Sequence, residues 1–305
     1  MGRKRSMKKR IILAVSVLVL LAIAGGGVYW YRLPAKMQEE EDFDAVMTRN
    51  VRRYRYLLDQ HDLGKMLAFL KEWRSFVLQR EQTPKTVYAL FVLYPLENAQ
   101  LRTYKQNEKT LDNIREMEKI LSRHAEHKYS EARLLEMKLW IAQEKIEYCR
   151  CKGEHKKAYE ILQTFITEHG GEAKLKETFS QSATCIFCGS MAACLMELGR
   201  LDESAPYIEE EICYSAGEPQ NQHCALLHMA ELFLKKKEPE KAMEYIRKAH
   251  EMYQSRRSYG LFAMAFYQLG RKEEAKKYFS LAVACKKYPY ISDNSLMEFK
   301  ELLLQ

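Results

Sequence analysis

The sequence predicts an all-α chain: one N-terminal transmembrane helix followed by an α-solenoid of helical hairpins. Three observations carry this reading. Residues 11–31 hold no charged side chain, and downstream the apolar residues recur at helical rather than strand spacing. A pattern of large and small residues also returns 33 positions later, Ala275 matching Ala242.

Taken from the N-terminus, residues 1–10 form a basic tail with Arg3, Lys4, Arg5, Lys8, Lys9 and Arg10 and no acid. Residues 11–31, IILAVSVLVLLAIAGGGVYWY, follow. About 20 apolar residues in a helix cross a bilayer core of about 30 Å, which makes this segment a membrane anchor. Tyr29, Trp30 and Tyr31 end it as an interfacial aromatic belt. A signal peptide cleaved after Ala22-Ile23-Ala24 is the competing reading, but apolar residues continue past Ala24 to full membrane thickness. Met1-Gly2 with Ser6 also fits a myristoylation pattern, which a spanning helix makes redundant. Six basic residues before the span against Arg32 and Lys36 after it predict a cytoplasmic N-terminus and an extracytoplasmic body.

Residues 32–44 read as a linker, with the acidic run Glu39–Asp44 as a solvated stretch. Residues 45–138 read as divergent hairpins, helical in period but without small packing residues, that cap the array. Residues 139–290 carry the repeats, and 291–305 a C-terminal helix. Pro84, Pro219, Pro239 and Pro289 fall at element boundaries.

The clearest unit is SYGLFAMAFYQLGRKEEAKKYFSLAVACKKYP, with Tyr259, Phe262, Ala263, Phe266, Gly270, Ala275, Phe279 and Ala282 in large and small places. The preceding unit places Leu226, Met229, Ala230, Phe233, Ala242, Ile246 and Ala249 in register, with Lys237 where the turn glycine stands and Pro239 opening the second helix. A third runs through Cys188, Met191, Ala192, Leu195, Gly199, Ser204 and Ile208, and a fourth through Ile146, Cys149, Gly153, Ala158, Leu162 and Phe165. In the third unit Pro206 predicts a late-starting second helix capped by Ser204. The insert EHGGEAKLKETFSQ between these two units is either a mobile connection or an extended helix end. The recurring pattern resembles the tetratricopeptide repeat. Physically, alanines let paired helices approach, aromatics fill the space beside them, and glycine supplies the tight turn.

Charge and motif content then bound the function. Six of the 49 basic residues lie in the tail, so the body nearly balances its 41 acids, which excludes a nucleic-acid surface. No HExxH, phosphate loop or nucleophile elbow is present, so no catalytic residue, metal, cofactor or small-molecule substrate is assigned. Cys149, Cys151, Cys185 and Cys188 could supply thiolates to zinc, but the register sets the two pairs about 15 Å apart along parallel axes. They read as small buried packing residues, and Cys213 with Cys224 as a pair able to bridge in an oxidising compartment. His124 and His127 share a helical face flanked by Arg123, Glu126 and Lys128, which marks ordinary solvated surface.

The resemblance implies a non-enzymatic scaffold that binds a protein or peptide on the concave face. The first-helix residues assigned to that face are Trp140, Glu147, Arg150, Met196, Glu231, Leu234, Lys235, Met264 and Tyr267. The alternative from another class is a redox or zinc-binding protein acting through Cys185 and Cys188. An N-terminal anchor with an extracytoplasmic repeat body is similar to bacterial inner-membrane proteins that face the periplasm or exterior, a likeness of architecture alone.

Overall fold

A computed structural model describes residues 37–60, 63–103, 106–124 and 129–285. The basic tail, the apolar segment 11–31, His127 and the helix expected at 291–305 lie outside the described residues. Among the described residues all regular structure is helical, in thirteen helices, and none of these is long and apolar enough to cross a membrane.

The chain divides at residue 55 into two units. The described part of the first belongs to α1 (Met37–Gln60), which includes the acidic run Glu39–Asp44. From residue 37 onward the expected linker is therefore helical. Glutamate forms helix readily, and acids in the opening turns oppose the positive end of the helix dipole.

The second unit, residues 56–305, continues with α2 (Leu63–Leu78), α3 (Pro84–Thr103), α4 (Asn107–Arg123), α5 (Glu131–Cys151), α6 (His155–Glu168) and α7 (Glu172–Thr178). It goes on with α8 (Gln181–Glu197), α9 (Leu201–Tyr214), α10 (Pro219–Lys235), α11 (Pro239–Met252), α12 (Arg256–Gln268) and α13 (Lys272–Ala284). Serine hydroxyls start three of the first helices: Ser130 accepts from the Arg133 N–H, Ser180 from that of Ala183, and Ser255 forms a reciprocal capping box with Ser258. Proline opens α10 and α11, where its missing N–H costs nothing.

Each of the four repeat hairpins closes on a residue with left-handed backbone. Gly153, Gly199 and Gly270 take φ near +73°, and Lys237 takes +62° in the place the other units give to glycine. The small places beyond these turns, Ala158, Ser204, Ala242 and Ala275, are all fully buried. Helices can touch there because nothing larger than a methyl or hydroxymethyl group separates them.

Two features of the third unit differ from expectation. α9 begins at Leu201, with Pro206 inside it, and the Ser204 hydroxyl donates to the Leu201 carbonyl at 2.7 Å instead of capping. The register of the small place outweighed the backbone hydrogen bond that proline removes. The insert before this unit folds as the short helix α7, entered through Gly170 and Gly171 at φ +89° and +93°. It is held by Leu175 and Phe179 in the core with Phe165 and Phe187.

Within the second unit α3, α5, α8, α10 and α12 form one layer, each packed on the next, while their hairpin partners α6, α9, α11 and α13 barely touch one another. Such an array bends toward the closely packed layer, so the first helices line its inner face. α8 is the most enclosed of them: from Ala183 to Met196 only Ile186 escapes full burial. Its composition is apolar or small on every side, the signature of a helix with no solvent face of its own.

Candidate inner-face binding site

Residues three and four apart on α5 place Arg133, Glu136, Trp140, Glu144, Glu147 and Cys151 along one stripe. On α10 the same spacing aligns Cys224, His228, Glu231 and Lys235. Between them, α8 presents the short side chains of Ser190 and Ala193, and the Ser190 hydroxyl contacts the Gln143 side chain of α5. Long charged residues of α5 and α10 consequently come within electrostatic reach across α8: His228 acts on Glu147, and Arg150 acts on Glu231.

Arg150 sits at the centre of these charges. Its guanidinium donates to both Glu197 oxygens at 2.8 to 3.0 Å and to Glu147 at 2.5 Å, and His155 Nδ1 lies 3.0 Å from Glu197. Arg257 of α12 donates to both oxygens of Glu231, at 3.1 and 2.6 Å. Burial would raise the Glu147 and Glu231 carboxyls, but Arg150 and Arg102 beside the first, and Arg257 beside the second, hold both below the ordinary glutamate range. Glu211 reaches the same region from α9, its carboxylate 2.8 and 3.0 Å from His228 Nδ1. Gly189 makes room for it: a Cβ there would stand 2.7 Å from Glu211 Oε1.

The N-terminal end of the face is aromatic. Trp140 packs on Tyr88 with ring centroids 5.1 Å apart, and the Arg133 guanidinium lies 4.1 Å from the Tyr88 centroid. Below it, buried Glu144 accepts from Arg102 at 2.5 Å and from Asn98 at 2.8 Å, and Asn98 in turn accepts from Asn113 at 2.9 Å. Asn113 accepts from Arg74, which also binds Glu97 at 2.7 Å. Burial pushes the Glu144 carboxyl up against the opposing pull of Arg102.

The expected face residues divide three ways. Glu147, Arg150 and Glu231 share the central charged cluster, Trp140 belongs to the aromatic end, and Lys235 is exposed at the end of α10. Met264 and Tyr267 are half-buried against the core of α10 to α13. Met196 and Leu234 are fully buried, so neither offers surface to a partner. Met196 packs with Ile208, Met229 and Leu232, because α10 closes over the end of α8. Sequence reasoning missed Arg102, Glu144, Glu197, Glu211, His228 and Arg257. Only the spacing of His228 from Glu231 on α10 hinted at any of them.

Cys151 and Cys224 lie on these stripes, whereas Cys149, Cys185 and Cys188 do not. Cys149, Cys185 and Cys188 are buried, burial pushes the Cys185 thiol up to about 12, and burial with a contact to Glu210 at 3.3 Å pushes Cys188 up further. A redox or metal-binding role, which needs thiolate, draws no support from such surroundings. Cys213 and Cys224 stand as free exposed thiols rather than as the pair considered above. An open cleft of about 810 Å³ lies on another side of α5, between α4 and α6, lined by Leu121, Ile141, Ile161 and Phe165 among charged residues.

The Tetratricopeptide repeat family profile matches residues 225–255 and 257–284. Solved structures similar to this chain include nearly identical TPR-like repeats from Podosopora anserina, at 16% identity, covering 67% of this chain and 96% of that one with a TM-score of 0.43. A tetratricopeptide repeat protein from Parabacteroides merdae is similar at 14% identity, covering 85% of this chain and 98% of that one with a TM-score of 0.38. Comparison with curated protein sequences returns no match. The matched residues lie in the hairpins α10–α11 and α12–α13, which are therefore similar to tetratricopeptide repeats.

Proposed function

We propose that this chain is a non-enzymatic scaffold, tethered to a membrane through residues 11–31, that binds a protein or peptide partner along its inner face. The observation that carries the reading is the face itself. Aromatic and charged side chains from α3, α5, α10 and α12 lie along the face, over a middle helix that presents the short Ser190 and Ala193 between them. Trp, Tyr and Arg are the residues that dominate protein recognition, and a groove between parallel first helices suits an extended segment or a helix.

The tether and the side of the membrane rest on sequence. Six basic residues precede the apolar stretch, which favours a cytoplasmic N-terminus and an exported body, as in a bacterial inner-membrane protein facing the periplasm or exterior. A reporter active only in the cytoplasm, fused after Gln305, should stay silent; activity there would overturn the orientation. A photo-crosslinking amino acid at Trp140 or Lys235 should give one and the same discrete adduct in cells. At Lys276, on the outer helix α13, it should give none, and an equal adduct there would overturn the choice of face.

A further inference from the structure

We infer that the partner held on this face is a cationic peptide segment, drawn by carboxylates that the array leaves short of positive charge. The inference rests on the proposed use of the inner face for binding.

Four carboxylates converge between α5 and α12: Glu147, Glu197, Glu211 and Glu231. The guanidiniums bonded to them are Arg150, which Glu147 and Glu197 share, and Arg257, which Glu231 takes, while Arg102 beside Glu147 is bonded to Glu144. The other partners are imidazoles, His155 on Glu197 and His228 on Glu211. While these are neutral the cluster holds two more negative than positive charges. Charged pairs nearer the N-terminus do not alter that balance, since Arg102 answers Glu144 and Arg133 answers Glu136.

The groups around His228 come from every helix packed against it. α9 supplies Glu211 and α5 supplies Glu147, while its own helix adds Glu231 and Cys224. α8 contributes Glu197 as its sole charged residue, and α12 contributes Arg257. Lys235 is exposed at the end of α10, and the cations that set the Glu231 carboxyl are Arg257, His228 and Arg150 instead.

These carboxylates are neither free surface nor deep core. Glu147, Glu197 and Glu231 keep 21 to 24% of their side-chain surface open, so an incoming ammonium or guanidinium meets them partly desolvated, where charge pairs count for most. Glu211 is almost enclosed yet aims its carboxylate at His228, through the gap that Gly189 leaves between α8 and α9. Trp140 and Tyr88 at one end and Met264 at the other add apolar contact. The occupant that satisfies all of this carries Lys or Arg among aromatic or aliphatic residues.

The test uses the full-length protein in non-ionic detergent at low salt, titrated with fluorescein-labelled peptides of Lys-Ser-Tyr repeats and their Gln and Glu analogues, with empty micelles subtracted. The lysine peptide should bind at least about tenfold tighter than either analogue. The Glu147→Gln/Glu231→Gln double variant, its helicity checked by circular dichroism, should weaken it about tenfold. Preference for the glutamate peptide, indifference to the glutamate variants, or binding of none of the three would each overturn the cationic partner. Whether the face binds at all is read separately: a crosslinked adduct at Trp140 alongside any of those results leaves the broader function standing, and its absence removes both.

Discussion

The hairpins of α2 to α5 and the repeats of α10 to α13 hold antiparallel helices together with opposite chemistry. The N-terminal hairpins are threaded by a buried polar chain from Arg74 through Asn113 and Asn98 to Glu144 and Arg102. The C-terminal repeats use close approach instead, with Ala230, Ala242, Ala263 and Ala275 fully buried at the helix contacts. A chain of hydrogen bonds fixes one geometry and fails as a unit, whereas alanine contacts are local to each pair. Substitutions can test whether the two regions tolerate damage differently.

The largest effect is expected at Glu144→Leu. Arg102 would be left in a buried site without its carboxylate, which costs about 3–5 kcal/mol. Chemical denaturation should show that loss, with hydrogen exchange accelerating across α3, α4 and α5 together. Exchange confined to α5 would mean the polar chain is not a cooperative unit.

Ala275→Trp comes next, since overpacking at a contact with no spare room costs about 1–3 kcal/mol. Exchange should rise in α12 and α13 and leave α3 to α5 protected. Should this variant melt with the parent, the repeat register assigned to α13 is wrong.

Gly189→Ala lies where the two chemistries meet, because the added methyl must displace the Glu211 carboxylate from His228. A loss of about 1 kcal/mol is expected, the net worth of a typical hydrogen bond. Restoring stability with a second change, Glu211→Ala, would identify that clash as the cause.

Lys237→Gly should do the reverse and stabilise by about 0.5–1 kcal/mol, since lysine at φ +62° carries the steric penalty that glycine avoids. An unchanged melting temperature would count against backbone strain at this turn.

The same contrast explains what could be read from the sequence. Ala158, Ala242 and Ala275 are legible because each stands five residues beyond its turn residue and each contact joins neighbours in the chain. The polar chain is not, since Asn98 finds Glu144 46 residues away and neither position repeats. Glu147, Arg150 and Glu231 were placed by the repeat pattern and do meet, but the pattern cannot say how far a helix is enclosed. Hence Met196 and Leu234, on the nominally open side, turned out to be core. Glu211 was invisible for a further reason: it belongs to an outer helix and reaches inward past a glycine.

One joint between the last two repeats is sensitive to acid. His223 of α10 bonds the Ala249 carbonyl at 2.9 Å and the Ser255 hydroxyl at 3.2 Å, while His250 of α11 bonds the Ser258 hydroxyl at 2.9 Å. Burial lowers both imidazoles from their ordinary value of 6.5, so the folded joint takes up protons less readily than the unfolded chain. Its stability is complete above pH 6.5 and drains away as the pH falls below that value. Acidification therefore loosens the contacts that these two imidazoles make between α10, α11 and α12.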